Sequence, residues 1–171
     1  MSGIYFIGEG PGYHENEQAR PFVGSAGHLL TELLQSIGLE RRGVWITNVV
    51  RCRPPDNRDP LPQEVEACDS FTKRQLDALR PKVIVTLGRH AMGRFLPGEV
   101  ISRVHGQPRR NGGYVVFPMY HPAAALHQPS LRQQLVDDFR KLADFLERTP
   151  ASPPSPAKAE APRPATQPTL F

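Results

Sequence analysis

Apolar positions along the chain fall into two patterns, short unbroken runs and longer stretches with helical spacing. Ile4-Tyr5-Phe6-Ile7 is continuously apolar, which predicts a strand covered on both faces. Between residues 26 and 37, Ala26, Leu29, Leu30, Leu33, Leu34 and Ile37 share one face at the i, i+3, i+4, i+7 spacing of an amphipathic helix. Ser25 is placed to cap its start and Gly38 to end it. Residues 44–50 predict a second buried strand. Residues 51–62, with four prolines, predict a loop. Residues 63–80 predict a helix with Val65, Cys68, Phe71 and Leu79 on its inner side. Residues 82–87 predict a third buried strand, ended by Gly88, and residues 90–96 a short helix. Residues 100–118 read as strands around the turn Asn111-Gly112-Gly113. Leu131, Leu135, Phe139, Leu142 and Leu146 mark a final helix.

Strands that alternate with helices predict an α/β fold. We expect a three-layer α/β/α sandwich with a mostly parallel, four-stranded central sheet. Ligands of such sheets bind beyond the carboxyl ends of the strands. The segment Gly8–Gly12, the loop after Asn48 and the segment around His121 all follow strands, so one crevice can collect them.

A chain of 171 residues, 39% apolar, suits one domain with a real core, here expected over residues 1–148. Residues 149–171 are rich in proline and alanine and bury too little to offset their ordering entropy, so a disordered tail is expected. The net charge of +4 is only a slight push toward a polyanionic partner. No apolar run approaches the roughly 18 residues of a membrane span. The N-terminus lacks the pattern of a signal peptide. The expected location is therefore the cytoplasm, where two cysteines do not imply a structural disulfide. A nucleotide hydrolase using the Gly-rich turn as a phosphate cradle is disfavoured, because the chain offers neither a Walker-type lysine nor an acidic metal cluster.

Four segments occur in a telling order: Gly8-Glu9-Gly10-Pro11-Gly12, Arg20-Pro21-Phe22-Val23-Gly24, Ile46-Thr47-Asn48 running on to Arg53-Pro54-Pro55, and Met119-Tyr120-His121-Pro122-Ala123-Ala124. In this order and spacing the chain resembles the family 4 uracil-DNA glycosylases over roughly residues 3–148. The resemblance implies a monomer that takes deoxyuridine out of single- or double-stranded DNA into a pocket and hydrolyses its N-glycosidic bond. It gives Phe22 the role of stacking on the base. It gives Asn48 the role of reading the uracil edge, with one acceptor and one donor against a pattern that cytosine reverses. His121 would approach uracil O2 as a neutral donor, stabilising the charge that develops there. Glu9, Gly10 and Gly12 would form the first loop, with Gly10 where other glycosylase families carry a catalytic aspartate. Glu9, Glu15 and Asn57 are then the candidates for orienting water. Asn57 lies in the matching stretch Pro54-Pro55-Asp56-Asn57-Arg58. A weak activator suffices if bond breaking runs ahead of water attack. Glu15 or a neighbour is the candidate for excluding the methyl group of thymine. On the residues alone, Phe22 also fits a core position, Asn48 a strand-end cap, and Glu15 a solvated loop charge. Arg103, His105, Arg109 and Arg110 read either as a phosphate-neutralising group or as an exposed basic loop.

The resemblance also implies a structural four-iron, four-sulfur cluster held by four cysteines. Cys52 and Cys68 match the last two ligands, and the first two are absent. Three readings stay open: an upstream start that supplies the missing pair, a cluster-free variant, or ligands of another kind. The ending Gln167-Pro168-Thr169-Leu170-Phe171 resembles the Gln-x-x-Leu-Phe peptide that docks bacterial repair proteins on the sliding clamp. The implied setting is base excision repair at the nucleoid. The competing reading is a non-catalytic uracil-DNA-binding module tethered to the clamp by Gln167, Leu170 and Phe171.

Overall fold

A computed structural model describes residues 3–149; the expected tail and its terminal peptide lie outside the described residues. The chain runs β1 (Ile4–Gly8), α1 (Tyr13–Gln18), α2 (Ser25–Ser36), β2 (Trp45–Asn48), α3 (Pro62–Leu79), β3 (Val83–Leu87), α4 (Arg89–Phe95), α5 (Ile101–Val104), β4 (Arg109–Asn111), β5 (Tyr114–Met119), α6 (Pro122–Ala125) and α7 (Pro129–Arg148). The sheet order is β2-β1-β3-β5-β4. Four strands are parallel, as expected, and β4 adds a fifth, antiparallel strand at the edge beside β5.

Each strand sends alternate side chains to opposite faces, and a separate core forms on each. Ile4, Phe6, Val83, Val85, Leu87, Phe117 and Met119 meet Leu29, Leu30, Leu33 and Leu34 of α2 and Leu135, Phe139 and Leu142 of α7. Tyr5, Ile7, Ile84 and Val116 meet Leu76 of α3, Met92 and Phe95 of α4 and Val104 of α5. Burying each such large apolar side chain contributes about 1.5–3 kcal/mol before entropy is counted. The connection from β1 to β2 crosses the first face, and the one from β2 to β3 crosses the second. The chain direction therefore reverses around β1 and β3, and a crevice opens above their carboxyl ends.

Gly38 ends α2 as expected. Its φ is +72°, and Leu39 N–H donates to Leu34 O at 2.9 Å while Gly38 N–H donates to Gln35 O at 3.0 Å, the paired bonds of a Schellman motif. Three local expectations are corrected. Ser25 is the first helical residue of α2, and its side chain does not cap it; the N-cap is Gly24. Phe71 is 47% exposed, because the inner stripe of α3 runs through Val65, Cys68, Thr72, Leu76 and Leu79, one position away. The Arg74 guanidinium covers the ring instead, 4.9 Å from its centroid. Residues 100–118 are not all strand. Ile101 and Val104 sit three apart and pack inward, which makes residues 101–104 one helical turn, and ahead of β5 only the arginine-bearing β4 joins the sheet.

His105 also departs from the phosphate-binding reading. Its Nδ1 lies 2.7 Å from the Asp138 carboxylate, which is fully buried and also receives Lys141 Nζ at 3.1 Å. A buried carboxylate needs such partners, so His105 is committed to the fold. Arg103 and Arg110 remain exposed.

Candidate active site

The crevice above β1 and β3 is a cleft of about 390 Å³. Glu9, Gly10, Gly12, Glu15, Phe22, Asn48, Asn57 and His121 all line it, so every pocket position expected from the sequence is brought to one place. Arg58, Ala123 and Ala124, which belong to the motif segments but were given no role, line it as well.

Asn48 ends β2 directly opposite Gly8 of β1. The pairing continues past the strands, with Val49 N–H donating to Gly8 O at 2.9 Å and Val50 N–H to Glu9 O at 3.0 Å. This zips the Gly-rich loop to the loop after Asn48. Asn48 is 5% exposed, and its Oδ1 has no hydrogen-bond partner. A buried acceptor left open costs about 1–3 kcal/mol unless a ligand or water fills it.

Phe22 is buried in left-handed backbone with φ +54°. That conformation is strained for an aromatic residue and must be held by its surroundings. Two features hold it. The Glu15 Oε1 accepts from Val23 N–H and Gly24 N–H, both at 2.8 Å. The Phe22 carbonyl packs onto Gly27 of α2, where an added Cβ would sit 1.9 Å from the Phe22 oxygen. The Phe22 ring then stacks on His121 at 5.5 Å between centroids, 24° from coplanar. Gly8 makes room beneath both polar and aromatic walls, for a Cβ there would lie 2.5 Å from Phe22 Cζ and 2.6 Å from Asn48 Oδ1.

Partial burial pushes the Glu15 carboxyl up, but the N–H groups of Gly24 and Val23 and others nearby outweigh it and hold it below the usual range. Glu15 is therefore an ionised clamp on the Phe22 turn. Glu15→Ala leaves two N–H groups without their acceptor and is expected to cost about 1–3 kcal/mol in thermal unfolding at neutral pH. Because the folded-state pKa is lowered, that stabilisation is present above the unfolded value of 4.5 and fades as pH falls below it, so the gap between wild type and variant should narrow in acid.

His121 caps α6, and its Nδ1 accepts from Ala123 N–H at 3.1 Å. With Nδ1 an acceptor, the ring proton of the neutral imidazole sits on Nε2. Removal from solvent, only partly opposed by Glu15, pushes the His121 pKa down to about 4. The imidazole is thus a neutral donor at physiological pH.

Burial pushes the Glu9 carboxyl up; His90, 3.8 Å away, pulls it down, and Asp59 raises it again. Glu9, Asp59 and His90 bring ligand atoms within 4.8 Å of one another. Arg89 already donates to Asp59 at 2.7 Å and to His90 at 3.2 Å, and its charge disfavours a metal ion there. The loop after Asn48 forms one lip of the cleft through Pro54, Asn57 and Arg58, and in it Asp56 and Asn57 both have positive φ, at +55° and +53°. Asn57 Oδ1 accepts from Arg53 Nε at 2.8 Å. The lip is tied down by the two-pronged Arg58–Glu64 contact at 2.7 and 2.9 Å and by Leu61 N–H on Glu64 at 2.8 Å. Arg58, then the Leu61 N–H, pull the Glu64 carboxyl to about 2.

The thiols of Cys52 and Cys68 are free; Cys52 is exposed, and Cys68 Sγ accepts from Arg51 N–H at 3.4 Å. They are the chain's two cysteines, half of a four-thiolate set, so the residues present do not fit a four-iron, four-sulfur cluster.

Residues 1–146 match the model of the uracil DNA glycosylase superfamily. A type-4 uracil-DNA glycosylase of Sulfurisphaera tokodaii is 48% identical, the match covering 83% of this chain and 69% of that one. The type-4 enzyme of Archaeoglobus fulgidus is 51% identical, over 83% and 76%. A type-5 uracil-DNA glycosylase of Pyrobaculum aerophilum is more distant, at 32% identity over 70% of this chain. Both the family match and the higher identity to the type-4 branch converge on the same conclusion: the chain belongs to the uracil-DNA glycosylase superfamily and, within it, to the type-4 uracil-DNA glycosylases.

Proposed function

We propose that the chain is a uracil-DNA glycosylase that hydrolyses the N-glycosidic bond of deoxyuridine in DNA, frees uracil and leaves an abasic site for base excision repair. The observation that carries the chemistry is the neutral His121, with its proton on Nε2, standing beside the buried and unpartnered Asn48 Oδ1 in one cleft. The flipped base stacks on Phe22. Asn48 Oδ1 accepts from uracil N3–H while its amide donates to O4, and cytosine meets both groups with the wrong sign.

As the bond from the sugar to uracil N1 breaks, its electron pair goes to the base, and negative charge spreads to O2. His121 Nε2–H donates to that oxygen without giving up its proton. The sugar becomes oxocarbenium-like, and water adds to its anomeric carbon; the proton that the water gives up reaches the uracil anion through solvent, so neutral uracil and an anomeric hydroxyl result. Of the three candidates for orienting that water, Glu15 Oε1 and Asn57 Oδ1 already accept other donors. That supports Glu9, whose partly desolvated carboxylate lines the cleft. Gly10 and Gly12 keep the loop close to the base; a Cβ at Gly10 would lie 2.7 Å from Val50 Cγ2. Bulk against a thymine methyl comes from Glu15 and its neighbours. No step passes through an iron–sulfur cluster.

The protein works as a monomer on chromosomal DNA in the cytoplasm, and Gln167, Leu170 and Phe171 tether it to the sliding clamp. Removing the last five residues should abolish retention on immobilised clamp and leave excision from a short oligonucleotide unchanged. The function itself is tested by multiple turnover on a labelled oligonucleotide with one uracil. Release of several equivalents per enzyme, with a thymine control untouched, supports the hydrolase. Stoichiometric binding without release overturns it in favour of a binding module.

A further inference from the structure

α1 contributes no buried residue, yet it carries the most exposed large apolar side chain among the described residues, Tyr13, at 57%. Tyr13 directly follows Gly12 of the cleft lining. Its ring meets His14 edge-on at 5.5 Å, and the Arg53 guanidinium lies over it, 5.5 Å from the centroid. Arg53 belongs to the other lip, where its Nε holds Asn57. Tyr13 and Arg53 thus meet at the mouth of the cleft, one from each loop. Among the described residues Arg53 pairs with no carboxylate, whereas neighbouring Arg58 is neutralised by Glu64.

A single exposed apolar side chain is ordinary. An aromatic ring in contact with an imidazole and an unneutralised guanidinium, on the rim of a cleft, has the composition of a stacking platform for unpaired bases. The cleft takes one nucleotide out of the strand, so the next nucleotide leaves the cleft at this rim with its own stacking partner lost. We propose that Tyr13 and Arg53 form a subsite for the nucleotide adjoining the flipped deoxyuridine, its base stacked on the open part of the Tyr13 ring and its phosphate paired with Arg53. This rests on the reading of the cleft as a deoxyuridine site. It gives the exposed first residue of α1 a task beside the Glu15 clamp that the same helix carries.

The test compares two single-stranded oligonucleotides, one with ordinary bases beside the uracil and one with abasic analogues in those positions. Tyr13→Ala is expected to lower kcat/KM by about 5- to 100-fold on the first and by less than about 2-fold on the second, and Tyr13→Phe to keep the wild-type value. Equal losses on both substrates, or no loss on either, overturn the proposal. Anisotropy of the same labelled strands is recorded alongside. If wild type releases no uracil from either strand, the function fails, while the binding difference between Tyr13→Ala and wild type still decides the subsite. Arg53→Gln should reduce the slope of log Kd against log salt by about 0.7; an unchanged slope removes Arg53 from the subsite.

Discussion

Replacing His121 with alanine is expected to lower the single-turnover rate of uracil release by about 10²- to 10³-fold, with little change in the affinity for uracil-containing DNA. The donor acts on charge that is small in the bound substrate and large as the bond breaks, so its loss falls on the chemical step. Rapid-quench kinetics at saturating enzyme measure this directly. The structural cost is modest, because the ring is lost from the cap of α6 and from the face of Phe22, a change of about 1 kcal/mol. A variant that fails to fold is recognised by its thermal transition and does not count against the role. Acid acts on the same group from the other side. The folded-state pKa lies near 4, below the ordinary 6.5, so between those values the unfolded chain takes up the proton first and stability falls as pH falls. Above pH 6.5 this contribution is constant.

Gly8→Ala should be nearly as damaging to catalysis, although Gly8 carries no functional group. Its new Cβ would press on Phe22 Cζ at 2.5 Å and on Asn48 Oδ1 at 2.6 Å, and neither is the free end of a flexible chain. Asn48 is anchored in β2 and Phe22 in a turn held by Glu15 and Gly27, so relief requires moving the walls of the pocket. A misplacement of about 1 Å costs up to about 10²-fold in rate. We expect kcat/KM to fall by about 10- to 100-fold and stability by about 1–3 kcal/mol. Gly93→Ala is the matched control: nothing lies within 4 Å of a Cβ there, and alanine suits the interior of α4. It should leave activity intact and raise the melting temperature slightly.

The parallel strands were legible because they are largely buried on both faces and read as short, mostly apolar runs, β1 without a break. The eight pocket positions were legible because their segments resemble those of a known family; strand topology alone showed only that the segments after β1, β2 and β5 share one edge of the sheet. The misreadings have local causes. Phe71 lies one step off the buried stripe of α3, a rotation that composition does not reveal. Ile101 and Val104 carry strand-forming side chains, but their three-residue spacing fits the second core only as a helical turn. Other features had no sequence signal. Glu15 acts on backbone N–H groups of Val23 and Gly24, which any residues would supply. The task of Gly8 and Gly27 is the absence of a side chain, and only the position of Phe22 gives it meaning. The tautomer of His121 depends on a backbone donor two residues on.

Catalysis turns on a neutral His121 that presents Nε2–H to the departing base. Long-range nitrogen–proton NMR of the imidazole, followed from pH 8 down to pH 4, tests this most directly. A neutral donor requires the proton on Nε2, no change of charge through pH 6.5, and a midpoint near 4. A proton on Nδ1, or a midpoint near the ordinary histidine value, would contradict it.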